Sequence, residues 1–352
     1  MTRIAASVAG RGPAMTARPA LRGRALLLLT GSAVATAVAT LVGFGIGSHP
    51  IPVATVVEAI LDYDPQNADH VIVLASRIPR VVLGVIVGAG LGAAGALMQS
   101  LTRNPLADPG ILGINAGAAL LITIGIAYLG VTDVSGYVWL AFIGAAGAAV
   151  IVHALGTAHR SAATPVRIAL AGTAVSIAIA AVTQIVVLNN ETAFLYFRYW
   201  SVGSLQGRGF DVILSVLPFL AVGILLALAL ARPLDALALG EDTARSLGTP
   251  VGATRIGTAA AVVLLAGAAT AAAGPIGFIG LAAAHIVRSV TGNAHRWLLP
   301  CSIVVGAGLL VIADAVGRAL AAPADLQSGI AAALLGSPLF ILLVRSRRVA
   351  SL

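Results

Sequence analysis

The stretch VVLGVIVGAGLGAAGALMQSLT, residues 81–102, contains no charged side chain. An apolar helix of roughly 20 residues crosses the hydrocarbon core of a bilayer, so this stretch is long enough to span a membrane once. Gly84, Gly88 and Gly92 recur in it at four-residue spacing and share one helix face, where small residues let a second helix approach closely. The stretch therefore predicts a transmembrane helix packed at the centre of a bundle.

The composition of the whole chain agrees with a membrane protein. Of its 352 residues, 59% are hydrophobic and only 10% are charged, whereas soluble domains carry about 25% charged residues. This composition excludes an ordinary soluble enzyme and a disordered chain, and it indicates an integral membrane protein. The other stretches without charge are 25–48, 109–132, 134–152, 168–190, 212–231, 256–284, 297–313 and 326–344.

The stretch 256–284 is too long for one span and contains Gly274-Pro275. This pair is expected to end a helix, because proline has no amide hydrogen and clashes with the preceding turn. With a structural break there, the chain has ten predicted transmembrane helices. An even number places both termini on the same side of the membrane.

The arginines indicate which side that is. With both termini in the cytoplasm, 16 of the 21 arginines fall on the cytoplasmic side and five on the outer side, as the positive-inside rule requires. We therefore predict an all-α membrane protein with a flexible basic cytoplasmic tail over residues 1–24 and one ten-helix domain over 25–348. A cleaved signal peptide is the competing interpretation of the N-terminus.

All 21 basic residues are arginine, and the chain has no lysine. A Walker A loop requires a lysine at the phosphates, so any ATP that drives this protein must bind to another polypeptide. We find no pattern of paired carboxylates, nucleophile and base, or metal ligands, and we expect no catalytic site, cofactor or metal. The net charge of +8 is explained by cytoplasmic loops and does not indicate a nucleic-acid partner.

Three arginines lie at helix ends on the predicted outer side: Arg77, Arg80 and Arg318. A guanidinium group binds carboxylates in a bidentate manner, so these residues are candidates for docking a soluble acidic partner; interfacial anchoring is the alternative. Asp314 precedes Arg318 by four residues and is predicted to pair with it. A carboxylate inside a span also leaves open a gradient-driven transporter that uses Asp314 as a proton relay.

The predicted cytoplasmic loop 232–255 contains LGEDTARSLG at 239–248. Glu241 and Asp242 favour a helix N-terminus, and Gly248 with Pro250 ends the helix. A short helix here either rests on lipid headgroups or couples the chain to a cytoplasmic motor subunit. The candidate coupling residues are Leu239, Gly240, Glu241, Ala244, Arg245, Leu247 and Gly248.

Eight motifs occur in an order that resembles the FecCD permease family of ABC importers for ferric siderophores, haem and cobalamin. The ferric-enterobactin type is the most similar in character. The motifs are RIPR at 77–80, GALMQSLTRNPLADPGILGINAGA at 95–118, WSVGSLQG at 200–207, LALGEDTARSLG at 237–248, GPIGFIGL at 274–281, HIVR at 285–288, ADAVGR at 313–318 and GSPLF at 336–340.

The resemblance implies a permease that works with partners. These are a second permease subunit, identical or a paralogue, two cytoplasmic ATPase subunits, and an extracytoplasmic binding protein whose glutamates dock on Arg77, Arg80 and Arg318. It further implies ten helices, as in the cobalamin importer, a location in the cytoplasmic membrane, and ATPase contact through 239–248. The cargo it favours is a ferric siderophore, with haem or cobalamin as alternatives. A membrane-embedded enzyme is the remaining class of function.

Two departures from the family pattern stand out. Ala284 precedes His285 where the family usually has proline, and Leu326-Gln327-Ser328-Gly329 replaces a Leu-Pro-Val-Gly type of string. Neither departure removes a predicted docking residue.

Overall fold

The structure is a computed structural model that describes residues 17–47, 49–157 and 165–345. Helices account for all the regular secondary structure in these ranges. In chain order they are α1 Ala17–Gly45, α2 Val53–Leu61, α3 Ala68–Ile72, α4 Ile78–Thr102, α5 Ile114–Leu129, α6 Val134–Thr157, α7 Pro165–Asn189, α8 Glu191–Trp200, α9 Phe210–Ala229, α10 Ala231–Ala238, α11 Glu241–Ser246, α12 Val251–Ala273, α13 Ile279–Thr291, α14 His295–Ala321 and α15 Ser328–Arg345. A π-helical turn, Val73–Arg77, joins α3 to α4, and a short 3-10 turn, Pro109–Leu112, precedes α5.

The all-α membrane class predicted from composition is confirmed. Within the described residues, seven helical segments are long and apolar enough to cross a bilayer, and three shorter apolar helices, α5, α13 and α15, accompany them. Each of the ten predicted spans coincides with one of these segments. The count of ten crossings and the cytoplasmic placement of the termini remain predictions.

The boundary of the predicted N-terminal tail differs from the structure. Helix α1 begins at Ala17, so residues 17–24 of that tail are helical. The remainder of the predicted tail, residues 1–16, lies outside the described residues. The helix begins before the charge-free stretch because arginine has a high helix propensity and does not interrupt a helix.

The glycine face of α4, which was predicted to admit a second helix, packs against α14. A Cβ atom on Gly92 would lie 2.1 Å from the carbonyl oxygen of Ser302, and one on Gly88 would lie 2.5 Å from that of Gly306. These distances are shorter than a van der Waals contact, so the two backbones meet where only glycine fits. Helix α4 is also flanked by α12 and α13, which makes it the central helix of the bundle.

The predicted break at Gly274-Pro275 is also confirmed. Helix α12 ends at Ala273, and Gly274 has a φ of 74°, a conformation that favours glycine. The loop after α8 closes against this break, because the amide of Ser204 donates to the carbonyl of Ala273 at 2.7 Å. The start of α15 joins them where the amide of Gly329 donates to the carbonyl of Gly203 at 2.9 Å.

Segments predicted to share a side of the membrane lie together in the structure. The end that holds α2, α3, α8 and the start of α15 is called the predicted outer end below. The opposite end holds α10, α11 and the start of α14, and it is called the predicted cytoplasmic end. A hydrogen bond from Arg103 Nη2 to the carbonyl of Leu237, 3.3 Å long, ties α10 to the chain beyond α4 there.

Candidate functional site

The three predicted docking arginines converge at the predicted outer end, but they are buried. Arg77, Arg80 and Arg318 are 5%, 6% and 2% exposed. The sequence placed them at helix ends facing a partner, whereas the structure turns their guanidinium groups into the bundle. Docking through these residues remains a prediction. In the structure their guanidinium groups bind to residues of the same chain.

Asp314 is the centre of this arrangement. It accepts a hydrogen bond from Arg80 Nη2 at 2.9 Å and a second from Arg80 Nε at 3.1 Å. Arg318 Nε lies 3.0 Å from Asp314 Oδ2, which confirms the predicted pair, although its N–H does not point along a hydrogen bond. One buried carboxylate is therefore shared by two guanidinium groups, from helices α4 and α14.

Arg77 and Arg318 also donate hydrogen bonds to the C-terminus of α1. Arg77 Nη1 donates to the carbonyls of Phe44 and Gly45 at 3.0 and 2.6 Å, and Arg318 Nη1 donates to the carbonyl of Gly43 at 3.0 Å. The last carbonyls of a helix have no partner inside it, and cations are favoured at that end of the helix dipole. These two arginines thus anchor α1 to the rest of the bundle.

Two residues that contact these charged side chains, Asp325 and Ser328, were missed from the sequence. Asp325, on the loop after α14, lies 3.3 Å from Arg80 Nη1 and is 26% exposed on its side chain. Ser328, one of the departures from the family string, donates to Asp314 Oδ1 at 2.6 Å and accepts from the amide of Leu205 at 3.2 Å. The departure itself was the only signal in the sequence, because it placed a hydroxyl group where the family has an apolar side chain.

The outer cluster, Arg77, Arg80, Asp314, Arg318 and Asp325, holds three guanidinium groups and two carboxylates. One positive charge therefore remains without a carboxylate inside the cluster. Charges that are poorly hydrated exert a stronger field than charges in water. The cluster by itself thus has a surplus of one positive charge, and Asp325 is its most exposed carboxylate.

The predicted coupling helix is present as α11. Gly240 and Gly248 flank it with φ of 105° and 78°, conformations that favour glycine, and Glu241 pairs with Arg255 and with Arg245, the latter at 3.3 Å. Ala244 is fully buried in a cluster with Leu237 and Val251, so α11 is held in place by its own chain.

Two leucines at the ends of α11 point outward. Leu239 and Leu247 are 65% and 64% exposed. Ala244, three residues before Leu247, is by contrast fully buried. Leu247 follows the last residue of α11 and does not continue the helix face that carries Ala244. Both exposed leucines lie at the predicted cytoplasmic end.

A partly buried hydrogen-bonded chain centred on His295 was not predicted. His295 Nδ1 lies 2.9 Å from Asp235 Oδ1, and His295 Nε2 lies 2.7 Å from Ser100 Oγ. The backbone amide of His295 also donates to Asp235 Oδ1 at 2.7 Å. These contacts join α4, α10 and α14. No local pattern could reveal them, since 195 residues separate Ser100 from His295.

The order of serine, histidine and aspartate is that of a nucleophilic triad, yet the hydroxyl group is otherwise engaged. Ser100 Oγ donates its single hydrogen to the carbonyl of Ala96 at 2.8 Å, so no hydrogen remains for the imidazole to remove. The two ring nitrogens of His295 thus contact Ser100 and Asp235. These hydrogen bonds therefore link three helices and do not form a catalytic triad.

The carboxyl group of Asp235 has a perturbed pKa. Burial alone would raise the pKa of Asp235, but the hydrogen bonds and charge of His295 oppose it, and the pKa is lowered from its usual value. A lowered carboxyl pKa stabilises the folded chain above the pKa of the unfolded state, and this contribution is lost as the pH falls through the folded value.

We therefore expect Asp235→Asn to lower the melting temperature at neutral pH and to match the wild type in acid. The difference should begin to shrink near pH 4, the usual pKa of an aspartate in an unfolded chain, and should disappear only after the pH has fallen through the lowered pKa of the folded carboxyl group. Thermal unfolding in detergent from neutral to acid pH measures this. Asp242→Asn, which alters a fully exposed carboxylate, is the control and should track the wild type. A difference that persists unchanged in acid would contradict the assignment.

Comparisons with known proteins agree with the resemblance drawn from the motifs. A model of the FecCD transport family matches residues 35–346. The ferric enterobactin transport system permease protein FepD of Escherichia coli is 41% identical over 335 residues, which is 95% of this chain and 97% of FepD. The probable siderophore transport system permease protein YfiZ of Bacillus subtilis is 41% identical over 290 residues, 82% of this chain and 87% of YfiZ.

A solved structure has the same fold. It is described as an inward-facing conformation of a metal-chelate type ABC transporter, and it is 25% identical, with a TM-score of 0.79. The likeness covers 92% of this chain and 99% of the other. The family match spans nearly all of the described helices, and two relatives exceed 40% identity over most of their length. The chain therefore belongs to the FecCD transport family.

Proposed function

We propose that this chain is the membrane permease subunit of an ATP-driven importer of ferric siderophores in the cytoplasmic membrane. The observation that carries the proposal is family membership together with relatives that are named as siderophore and ferric enterobactin permeases. The chain itself would perform no bond chemistry. Its task would be to open a path for cargo alternately towards each side of the membrane.

The energy would come from partner subunits. A chain without lysine has no Walker A loop, so two cytoplasmic ATPase subunits would bind ATP beneath it. The exposed pair Leu239 and Leu247 supports a contact through α11, because two leucines held outward by a glycine-flanked helix are suited to an apolar pocket on a partner. A second permease subunit, identical or a paralogue, would complete the pathway.

An extracytoplasmic binding protein would deliver the cargo. The surplus positive charge of the outer cluster supports docking of carboxylates there, which fits the predicted role of Arg77, Arg80 and Arg318. Because the guanidinium groups are buried, a partner carboxylate would have to exchange with Asp325, the exposed member of the cluster. The positive charge of the cluster would thus attract the binding protein first. The ion pair of Asp325 would then be replaced by one with the partner's carboxylate.

A proton relay through Asp314 is less well supported. A relay group needs access to water or to another group that can exchange a proton. Asp314 is 2% exposed, and its partners are two guanidinium groups, which do not deprotonate in proteins, and Ser328. These contacts favour a structural role for Asp314.

The test is uptake of a radioactive ferric siderophore by cells in which the gene is disrupted and then restored. We expect disruption to abolish uptake and the wild-type gene to restore it. Leu239→Asp with Leu247→Asp should reduce uptake by about tenfold or more, since charges would enter an apolar contact with the ATPase. Leu239→Met with Leu247→Met keeps the surface apolar and should restore uptake.

Several outcomes would contradict the proposal. Loss of haem or cobalamin uptake, with ferric siderophore uptake intact, would assign one of the alternative cargoes. Uptake that survives ATP depletion and collapses with a protonophore would indicate a gradient-driven transporter. Full uptake by the aspartate variant would show that α11 does not couple to the motor.

A further inference from the structure

A pocket of about 110 Å³ lies at the predicted cytoplasmic end, between the ends of α4 and α13, helix α10 and the start of α14. Water occupies roughly 30 Å³ per molecule in the liquid, so the pocket has room for a group of about four or five heavy atoms, such as one phosphate. Helix α10 contributes apolar side chains to the lining, and the other elements contribute polar ones. The polar lining side chains are Ser100, Arg103, Arg288, Asn293 and His295.

The polar side of this pocket is positively charged. Arg103 and Arg288 contribute two guanidinium groups, and no carboxylate is among the described residues that line the space. The carboxylate of Asp235 is paired with His295 at 2.9 Å and is not part of the lining. Such a pocket is complementary to an anion, and the planar fork of arginine suits the oxygens of a phosphate group.

The guanidinium group of Arg288 is held in place by neutral partners. Its Nη2 donates to Gln99 Oε1 at 3.3 Å, and its Nη1 donates to Asn293 Oδ1 at 3.1 Å. These amide oxygens fix the orientation of the group and leave its charge without a carboxylate. An arginine that only anchors a helix at the membrane surface extends freely towards water, so the fixed orientation indicates a binding group.

The backbone of Arg103 also indicates a role for its side chain. Arg103 caps the C-terminus of α4 with a φ of 50°, a left-handed conformation that usually selects glycine at the end of a helix. Keeping a long side chain there costs free energy. The side chain donates from Nη2 to the carbonyl of Leu237 at 3.3 Å, which holds the second guanidinium group beside the pocket.

Arg103 also borders a second, largely apolar space. This groove of about 430 Å³ lies between the chain after α4, the 3-10 turn before α5 and helix α7. Its lining includes Ile111, Val166 and Leu170, and the last two are each 66% exposed. Exposed apolar side chains on a membrane helix face the acyl chains of lipids. One arginine therefore adjoins both a basic pocket and an apolar groove.

We propose that this pocket binds the phosphate group of an anionic phospholipid from the leaflet at the predicted cytoplasmic end. Arg103 and Arg288 would bind the phosphate oxygens, and an acyl chain would lie along the groove lined by Val166 and Leu170. Basic pockets between membrane helices on the cytoplasmic side suit anionic headgroups for the same reason. Inorganic phosphate shares the headgroup chemistry, but it has no acyl chain to occupy the groove.

The test counts the lipids that stay bound to the full chain. The protein is placed in bilayers of equal parts phosphatidylglycerol and phosphatidylcholine, released into detergent and analysed by native mass spectrometry. We expect phosphatidylglycerol to be retained about tenfold more often, because two arginines favour the headgroup with a net negative charge. A second arm titrates inorganic phosphate into nanodiscs of phosphatidylcholine alone, where we expect much weaker binding than that of the lipid.

Two variants remove the arginines one at a time. Arg103→Gly and Arg288→Gln should each lower the preference for phosphatidylglycerol by about fivefold. Glycine is the residue that the backbone at 103 favours, so Arg103→Gly should fold even if Arg288→Gln does not. The matched control is Arg232→Gln, which removes an exposed arginine of α10 outside both spaces and should leave the preference unchanged.

Equal retention of the two lipids by the wild type, or a preference that Arg103→Gly retains in full, would overturn the lipid site. Inorganic phosphate that binds the wild type and neither variant, without any lipid preference, would assign the pocket to soluble phosphate and reject the lipid. Neither arm contains a ferric chelate or an ATPase, so the result does not depend on the proposed function.

Discussion

Asp314→Asn is expected to remove about 3–5 kcal/mol from the free energy of unfolding. The substitution keeps the shape of the side chain and removes its negative charge. Arg80 and Arg318 are almost fully buried, so both would lose their nearest countercharge without gaining water. The measurement is thermal unfolding in detergent, together with the yield of folded protein from membranes.

Asp325→Asn is the matched control for this prediction. It removes a carboxylate from the same guanidinium group, Arg80, at 3.3 Å. Its side chain is partly exposed, and exposed pairs contribute about 0–1 kcal/mol, so the melting temperature should change little. Equal melting temperatures for Asp314→Asn and the wild type would show that the cluster does not stabilise the bundle.

The double variant Asp314→Asn with Arg80→Gln adds a second comparison. Removing both partners eliminates one uncompensated charge, so the double variant should unfold at a higher temperature than Asp314→Asn alone. The interaction free energy from this cycle isolates the pair from the remaining contacts. Additive effects would contradict a direct coupling between these two side chains.

Gly92→Ala is expected to destabilise the chain by about 3 kcal/mol or more. The added methyl group would lie 2.1 Å from the carbonyl oxygen of Ser302, and a backbone atom in the middle of α14 cannot move aside without separating two helices. Because α4 is the central helix, we expect little folded protein and a loss of transport. The yield after detergent extraction and the melting temperature measure the effect.

Gly147→Ala is the control for Gly92→Ala. Gly147 lies within α6 and has nothing within 4 Å of an added methyl group. Alanine is preferred to glycine in a helix by roughly 0.5–1 kcal/mol, so this variant should be as stable as the wild type or slightly more so. A Gly92→Ala protein that behaves like Gly147→Ala would contradict the close approach of α4 to α14.

Much of the fold was predictable because its determinants are local. The stretch 81–102 forms most of α4 because its side chains are apolar enough for the hydrocarbon core of a bilayer. Gly274-Pro275 ends a helix because glycine allows a positive φ and proline has no amide hydrogen. The pair of Asp314 and Arg318 followed from helical spacing alone. Gly248 ended α11 for the same kind of reason, since a positive φ is inexpensive only for glycine.

The partners of the site residues were not predictable, because they join distant parts of the chain. Arg80 meets Asp314 across 234 residues, and His295 meets Ser100 across 195. The sequence indicated that Arg77, Arg80 and Arg318 lie at one end of the bundle, but their burial was decided by packing. Spacing along a helix determines which residues share a face, whereas the neighbour that this face meets depends on how the helices pack in three dimensions.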